Sequence, residues 1–349
     1  MEIVATHEEA ARLALAPLLV VEPLRAWLDG QGLGSGRLEA ARIGGGQSNV
    51  TYLVERDGGV RFVLRRGPRP PLPPSAHDMV REASLQRSLY PAGARVPEIL
   101  AICADESVLG VPFYVMSFVA GDVVTTAMPT RLDTPAGRAA TATELVESLA
   151  EIHAVDYLAA GLDWLGKPTG YLERQVRRFA GLWEVNATRE LPQVGELAAW
   201  LGANVPESGT ATVVHGDYRL GNVVLAPGGT ARVAAVLDWE LATIGDPLAD
   251  VGYLVSTWAG SPLALSPVTR LEGFPGRDEL ATIYEARSGR SMRDLGWYEA
   301  LALWKSAVFC EAIYGRHLRG ERGEDDPFGR SLERGVPALL EAAEVAAKG

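Results

Sequence analysis

At 349 residues the chain is long enough for two domains and a substantial buried core. Hydrophobic residues at 47% and charged ones at 22% are ordinary for a globular protein and exclude a disordered or fibrous chain. The formal net charge of −11 argues against nonspecific binding to nucleic acid, which needs a basic surface.

Residues 1–37 read as a partly helical extension. Leu24, Trp27 and Leu28 follow helical spacing, and Gly30, Gly32, Gly34 and Gly36 end the pattern as a flexible connector. Leu13–Val21 is apolar but contains Pro17 and is far short of a membrane span. No basic region precedes it as in a signal peptide, so a cytoplasmic protein without a membrane partner is expected.

From Leu38 the pattern changes to strands. Leu38–Ile43 leads into a glycine-rich turn, and Val50–Val54 leads out. Gly45, Gly46, Gln47, Ser48 and Asn49 form a loop able to lay backbone N–H groups over phosphate oxygens. It is not GxGxxG, and an ordinary hairpin turn is the alternative. A third strand, Val60–Leu64, ends at Arg65, and alternation puts Arg66 on the opposite face. Pro68–Pro74 reads as an extended linker, followed by a helix from about Ser75 to Leu89 that carries Glu82. Strands Ile99–Ala104 and Pro112–Phe118 complete a small sheet, with a domain boundary at Gly121. Residues 38–120 are thus expected as a small antiparallel-sheet domain and 121–349 as a larger, mostly helical one.

In the second domain Leu145, Leu149, Ile152 and His153 share one helix face, and Tyr171–Trp183 and Val194–Leu201 are amphipathic. Thr212–Val214 is a β-branched run ending at His215-Gly216-Asp217. Five residues after Asp217 comes Asn222, opening Val223–Leu225; Pro227-Gly228-Gly229 turns the chain, and Val233–Leu237 delivers Asp238. This ordering suits phosphoryl transfer from a nucleotide. One carboxylate, Asp217, takes or orients the proton of an attacking hydroxyl. An amide oxygen, Asn222, and a second carboxylate, Asp238, hold Mg²⁺, a hard cation that prefers oxygen. The bland alternative is a polar turn whose side chains cap backbone groups. Asp246 before Pro247 is a helix cap, and Asp250, one turn on, is placed to accept N–H bonds from the Asp217 loop. Helices follow near Arg277–Ser288, Leu295–Leu318 and Phe328–Ala347. Two distant cysteines, Cys103 and Cys310, ask for no disulfide, and five histidines without a His/Cys cluster leave zinc unsupported.

HGDYRLGN followed by LDWELATIGDPLAD resembles the aminoglycoside phosphotransferase and choline kinase family. Within it, the chain looks like the branch found as kinase-like domains fused to acyl-CoA dehydrogenases or as free-standing bacterial proteins. The resemblance runs from about Ile43 to about Arg319. It implies an α+β, bilobal protein-kinase-like fold, with a small antiparallel-sheet N-lobe, a helical C-lobe and the nucleotide in the cleft. It also implies an ATP- or GTP-dependent, Mg²⁺-requiring transfer to the hydroxyl of a small-molecule acceptor. Ser48 matches the family's loop serine. Arg65 stands in FVLR where the kinase pattern has the lysine of VAIK, with Glu82 as its partner. Met116 and Phe118 lie where hinge backbone usually reads an adenine edge. Trp239 and Glu240 replace the Phe-Gly of DFG, and Glu240 is placed for the metal's surroundings, for substrate, or for neither. His153 matches a histidine behind the catalytic loop. C-lobe helices wall the acceptor pocket in this family, so Glu311, Tyr314, Arg316 and His317 are acceptor or core residues. Only seven residues separate Asp238 from Asp246, too few for the activation segment of a protein kinase. A catalytically idle nucleotide-binding or scaffold domain is the rival. The acceptor's identity and the oligomeric state are open at this stage.

Overall fold

The structure, a computed structural model, describes residues 2–44, 49–70, 77–263, 265–323 and 325–348. The chain divides into two compact units, Met1–Ala120 and Gly121–Gly349. The first begins with β1 (Ile3–Val4), α1 (His7–Ala11), β2 (Leu19–Val20) and α2 (Val21–Gly30). It continues with β3 (Leu38–Ile43), β4 (Val50–Arg56), β5 (Val60–Arg66), α3 (Met79–Leu89), β6 (Ile99–Cys103), α4 (Glu106–Leu109) and β7 (Phe113–Ser117).

Five of these strands make one antiparallel sheet in the order β3-β4-β5-β7-β6. Strand alternation gives this sheet two apolar faces. Tyr52, Val54, Phe62, Leu64, Phe113 and Val115 pack with Leu18, Leu19, Leu24 and Leu28. Val63, Tyr114 and Met116 pack on the other face with Met79 and Ala83 of α3. Residues 1–37 therefore supply part of a shared core. The glycine stretch expected as a flexible connector is a fixed turn. Gly36 has φ +77, a Cβ there would lie 2.1 Å from Asp57 Oδ2, and Arg37 N–H donates to that same oxygen at 2.9 Å.

The second unit contains α5 (Pro135–His153), α6 (Tyr171–Asn186), α7 (Pro192–Ala203), β8 (Thr212–Val214), β9 (Val223–Leu225) and β10 (Val233–Val236). It ends with β11 (Thr243–Gly245), α8 (Leu248–Ser256), α9 (Arg277–Ser288), α10 (Leu295–Leu318) and α11 (Pro327–Lys348). Two antiparallel ribbons carry the motif-bearing loops. β8 pairs with β11, a strand that the sequence reading missed, and β9 pairs with β10.

The helical core gathers Leu172, Val176, Leu197, Leu201, Trp297, Leu301 and Trp304 around α10. Each such side chain, fully buried, contributes about 1.5–3 kcal/mol. Both α10 indoles also satisfy their N–H groups, Trp297 on Leu201 O at 3.2 Å and Trp304 on Val194 O at 3.1 Å. α8 crosses α10 closely at Gly252, where a Cβ would stand 2.5 Å from Tyr298 backbone atoms. Among the described residues no helix is long and apolar enough to cross a membrane.

Candidate functional site

The chemistry-bearing loop follows β8, and a buried network fixes its backbone. Asp250 of α8 accepts His215 N–H at 2.7 Å on one oxygen and Gly216 N–H at 2.8 Å on the other. His153 of α5 reaches the first oxygen through Nε2 at 3.1 Å, and its Nδ1 lies 2.6 Å from Tyr284 Oη. A carboxylate only accepts, so Nε2 carries the proton, and in the neutral ring Nδ1 takes the Tyr284 O–H. Burial alone would raise the Asp250 pKa, but the hydrogen bond from His153 and the Gly216 N–H outweigh it. Its carboxyl is held below the ordinary range. Asp250 and His153 thus act as support behind the loop.

His215 extends that support forward. Its Nε2 donates to Leu237 O at 2.9 Å, which leaves Nδ1 to accept the Asp217 N–H at 3.2 Å. Trp239 is fully buried with its ring centroid 4.6 Å from that of His215, and its indole N–H donates to Val236 O at 3.0 Å. The residue in the Phe position of the kinase motif therefore braces the Asp217 loop against the Asp238 turn.

Asn222 spends its amide nitrogen on Asp217, donating to the main-chain oxygen and to Oδ2, both at 2.8 Å. That directs the nitrogen inward and leaves Oδ1 as the group available to a cation. Leu237 N–H donates to Asn222 O at 2.8 Å, which sets Asp238 beside Asn222 at the end of the β9–β10 ribbon. Asp238 holds φ +67, a left-handed conformation costing a non-glycine residue about 1–3 kcal/mol. Such strain is commonly kept where a side chain must be aimed. Asn222 and Asp238 fit a hard, oxygen-seeking divalent ion. Among the described residues no group of three or more His, Cys, Asp or Glu gathers, so phosphate oxygens and water would supply the rest of its coordination.

Two neighbours of Asp217 carry no motif. Arg219 Nε stands 3.5 Å from Asp217 Oδ1. The Tyr253 hydroxyl of α8 lies beside the same carboxylate, and burial first, then the Asp217 charge, pushes its pKa well above the usual phenol value. Helical spacing from Asp250 could have pointed to Tyr253's side of α8, but not to its contact.

In the first unit, alternation along β5 separates two adjacent arginines. Arg65 faces α3, where its Nε lies 3.2 Å from Glu82 Oε1. Glu82 is fully buried and also accepts from Tyr114 Oη at 3.1 Å, which Gln86 Nε2 approaches at 3.2 Å. Burial, then the Glu82 charge, raises the Tyr114 pKa well above normal. Arg66 turns to the other face and is buried. It donates to the carbonyls of Gly67 at 2.9 Å, Leu109 at 3.2 Å and Leu18, closing the N-terminal segment onto the sheet. Burial lowers its pKa to about 10.

Asn49 Oδ1 lies 2.8 Å from His77 Nδ1, whose pKa is lowered by burial and by the Arg65 charge. Gly45, Gly46, Gln47 and Ser48 lie outside the described residues. Met116 is buried on β7 opposite Val63, and Phe118 is half-buried under the Arg61 guanidinium, 4.8 Å from its ring centroid. On α10, Glu311 is fully buried and engaged by Thr188 and Arg189, and His317 lies 3.3 Å from Asp326. These two are structural residues.

Comparison with known proteins places this geometry. The chicken (Gallus gallus) acyl-CoA dehydrogenase family member 11 is 37% identical over 296 residues, covering 82% of this chain and 38% of that protein. The chain thus spans about two fifths of the length of that curated relative. A Ralstonia eutropha structure described as a candidate aminoglycoside phosphotransferase is 31% identical with a TM-score of 0.79, covering 94% of this chain and 98% of that one. A Plasmodium vivax ethanolamine kinase shares the fold at a TM-score of 0.59 and 14% identity, covering 87% and 82% of the two chains. Residues 39–296 match the family model described as "Phosphotransferase enzyme family", and the chain, a kinase-like α+β protein, belongs to that family.

Proposed function

We propose that this protein transfers the γ-phosphoryl group of ATP to a hydroxyl of a small-molecule acceptor in a Mg²⁺-dependent reaction. The observation that carries the reading is the Asp217–Asn222 hydrogen bond on a loop whose backbone is held by buried Asp250. In this reading Asp217 orients the acceptor and takes its hydroxyl proton as the oxygen attacks phosphorus. The bond between the γ-phosphorus and the bridging oxygen breaks, and ADP leaves. Asn222 and Asp238 would hold the Mg²⁺, which supplies charge neutralisation on the phosphate oxygens when bound.

Arg65, braced by Glu82, supplies a permanent cation for the phosphates in place of lysine. In this reading Gly45, Gly46, Gln47, Ser48 and Asn49 would contribute N–H groups to the phosphates, and the backbone at Met116 and Phe118 would read the base. Residues 38–120 serve as the nucleotide-binding unit, 121–349 as the unit of chemistry and acceptor binding, and 1–37 as an extension of the former. The two cysteines are unpaired and buried, which suits a reducing cytoplasm.

The test is incubation of the full chain with γ-labelled ATP, Mg²⁺ and a pooled metabolite library. Label moving to an acceptor, lost with EDTA and with Asp217→Ala, is the expected result. Nucleotide binding without transfer to any member would favour an idle nucleotide-binding domain.

A further inference from the structure

Near Asp250, which holds the Asp217 loop, lies a cation with no evident task. Lys305 of α10 sits deep beside α6 and α8, yet keeps part of its surface open. Its ammonium rests 4.8 Å from the ring centroid of Phe179 on α6. Among the described residues no carboxylate lies within ion-pair distance of it. A half-buried ammonium supported only by an aromatic face gains about 1–2 kcal/mol from that contact and stays short of anionic partners.

The same helix is tied to the chemistry. α10 packs on α8 at Gly252 and Tyr298, and the neighbouring Tyr253 hydroxyl feels the charge of Asp217. Lys305 in turn feels Asp250, whose other face holds Gly216 next to Asp217.

Resting on the phosphotransferase reading, we propose that Lys305 reads an anionic group of the acceptor, so that the molecule phosphorylated carries a carboxylate or a phosphate beside its hydroxyl. The anion takes the open side of the ammonium while Phe179 covers the other, and the hydroxyl extends toward Asp217. The groups around Lys305 fit this role. Burial first, then Arg178, lower its pKa to about 8, and Asp250 only partly offsets them. Arg178 on α6 adds a second positive charge. Amino-alcohol acceptors, cationic at neutral pH, would meet repulsion here.

The chain makes the test unusually direct, because its only lysines are Lys167, Lys305 and Lys348. Full-length protein labelled at the lysine side chains gives three resonances, and Lys305→Arg identifies one by removing it. The probes are 3-hydroxybutyrate and glycerol 3-phosphate, which separate carboxylate from phosphate, against methyl 3-hydroxybutyrate and choline. The Lys305 resonance is expected to shift saturably with at least one anion. Its titration midpoint should rise by about one pH unit for a tenfold preference for the charged lysine. Lack of response to both anions, or an equal response to the ester or to choline, would overturn the proposal. Capture needs no turnover, so the two readings separate. A shift without transfer from labelled ATP supports the anion site and counts against phosphotransfer, whereas transfer without a shift overturns the anion site alone.

Discussion

Asp217 and Asp250 sit 33 positions apart and share a loop, yet their substitution should give opposite signatures. Asp217 is partly exposed and its side chain is aimed outward from a fixed backbone, so Asp217→Ala should lower kcat by roughly 10²–10⁴ with nucleotide affinity little changed. Steady-state kinetics beside equilibrium ATP titration would show this. Asp250 is fully buried with three N–H groups on its two oxygens. Asp250→Asn should therefore cost about 1–3 kcal/mol of stability, because the amide nitrogen replacing one oxygen sets a donor against an N–H that the carboxylate accepted.

The pH dependence has a definite sign. A carboxyl whose folded pKa is depressed adds stability above its unfolded value, roughly pH 4, and loses it as pH falls through the folded value. Acid denaturation followed by fluorescence should thus be shallower in Asp250→Asn than in the wild type below about pH 4. At this scale the sequence was informative where spacing brings residues together, as with Asp217 and Asn222. It was silent on Trp239 stacking on His215 and on Tyr253 beside Asp217, since those meetings depend on how a turn and a helix pack.

Strand β5 shows what an element adds. Alternation alone assigns Arg65 and Arg66 to opposite faces, and the two faces have different jobs. Arg65→Lys, which keeps a cation beside buried Glu82 but loses the guanidinium fork, should raise the KM for ATP and leave the melting temperature nearly unchanged. Arg66→Met should leave three main-chain carbonyls short of a donor and destabilise the first unit by about 1–3 kcal/mol or more, with nucleotide affinity following only through unfolding. Denaturant titration and ATP kinetics on both variants would separate these effects.

Helix α8 makes the same point through its glycine. Gly252→Ala would drive a Cβ to within 2.5 Å of the Tyr298 backbone and should lower stability by about 1–3 kcal/mol. Helices of clear period, such as α9 and α10, were legible to the residue. β11 was not, because Thr243–Gly245 is three residues long and pairs across 31 positions with β8. A run that short has no periodicity to read.

At the scale of the molecule, the small antiparallel sheet and the helical second unit follow from patterning that changes at Leu38 and Gly121. Residues 1–37 were harder, since their apolar positions look like a loose amphipathic segment until the second face of the sheet is seen to need a cover. On the proposed function, the fold must deliver one divalent ion held by Asn222 and Asp238 beside Asp217. Titration of ATP into the wild type and into Asp238→Ala, each with Mg²⁺ and with EDTA, tests that most directly. ATP affinity that depends on Mg²⁺ in the wild type and no longer does in Asp238→Ala is the predicted result. An equal Mg²⁺ dependence in both proteins would contradict it.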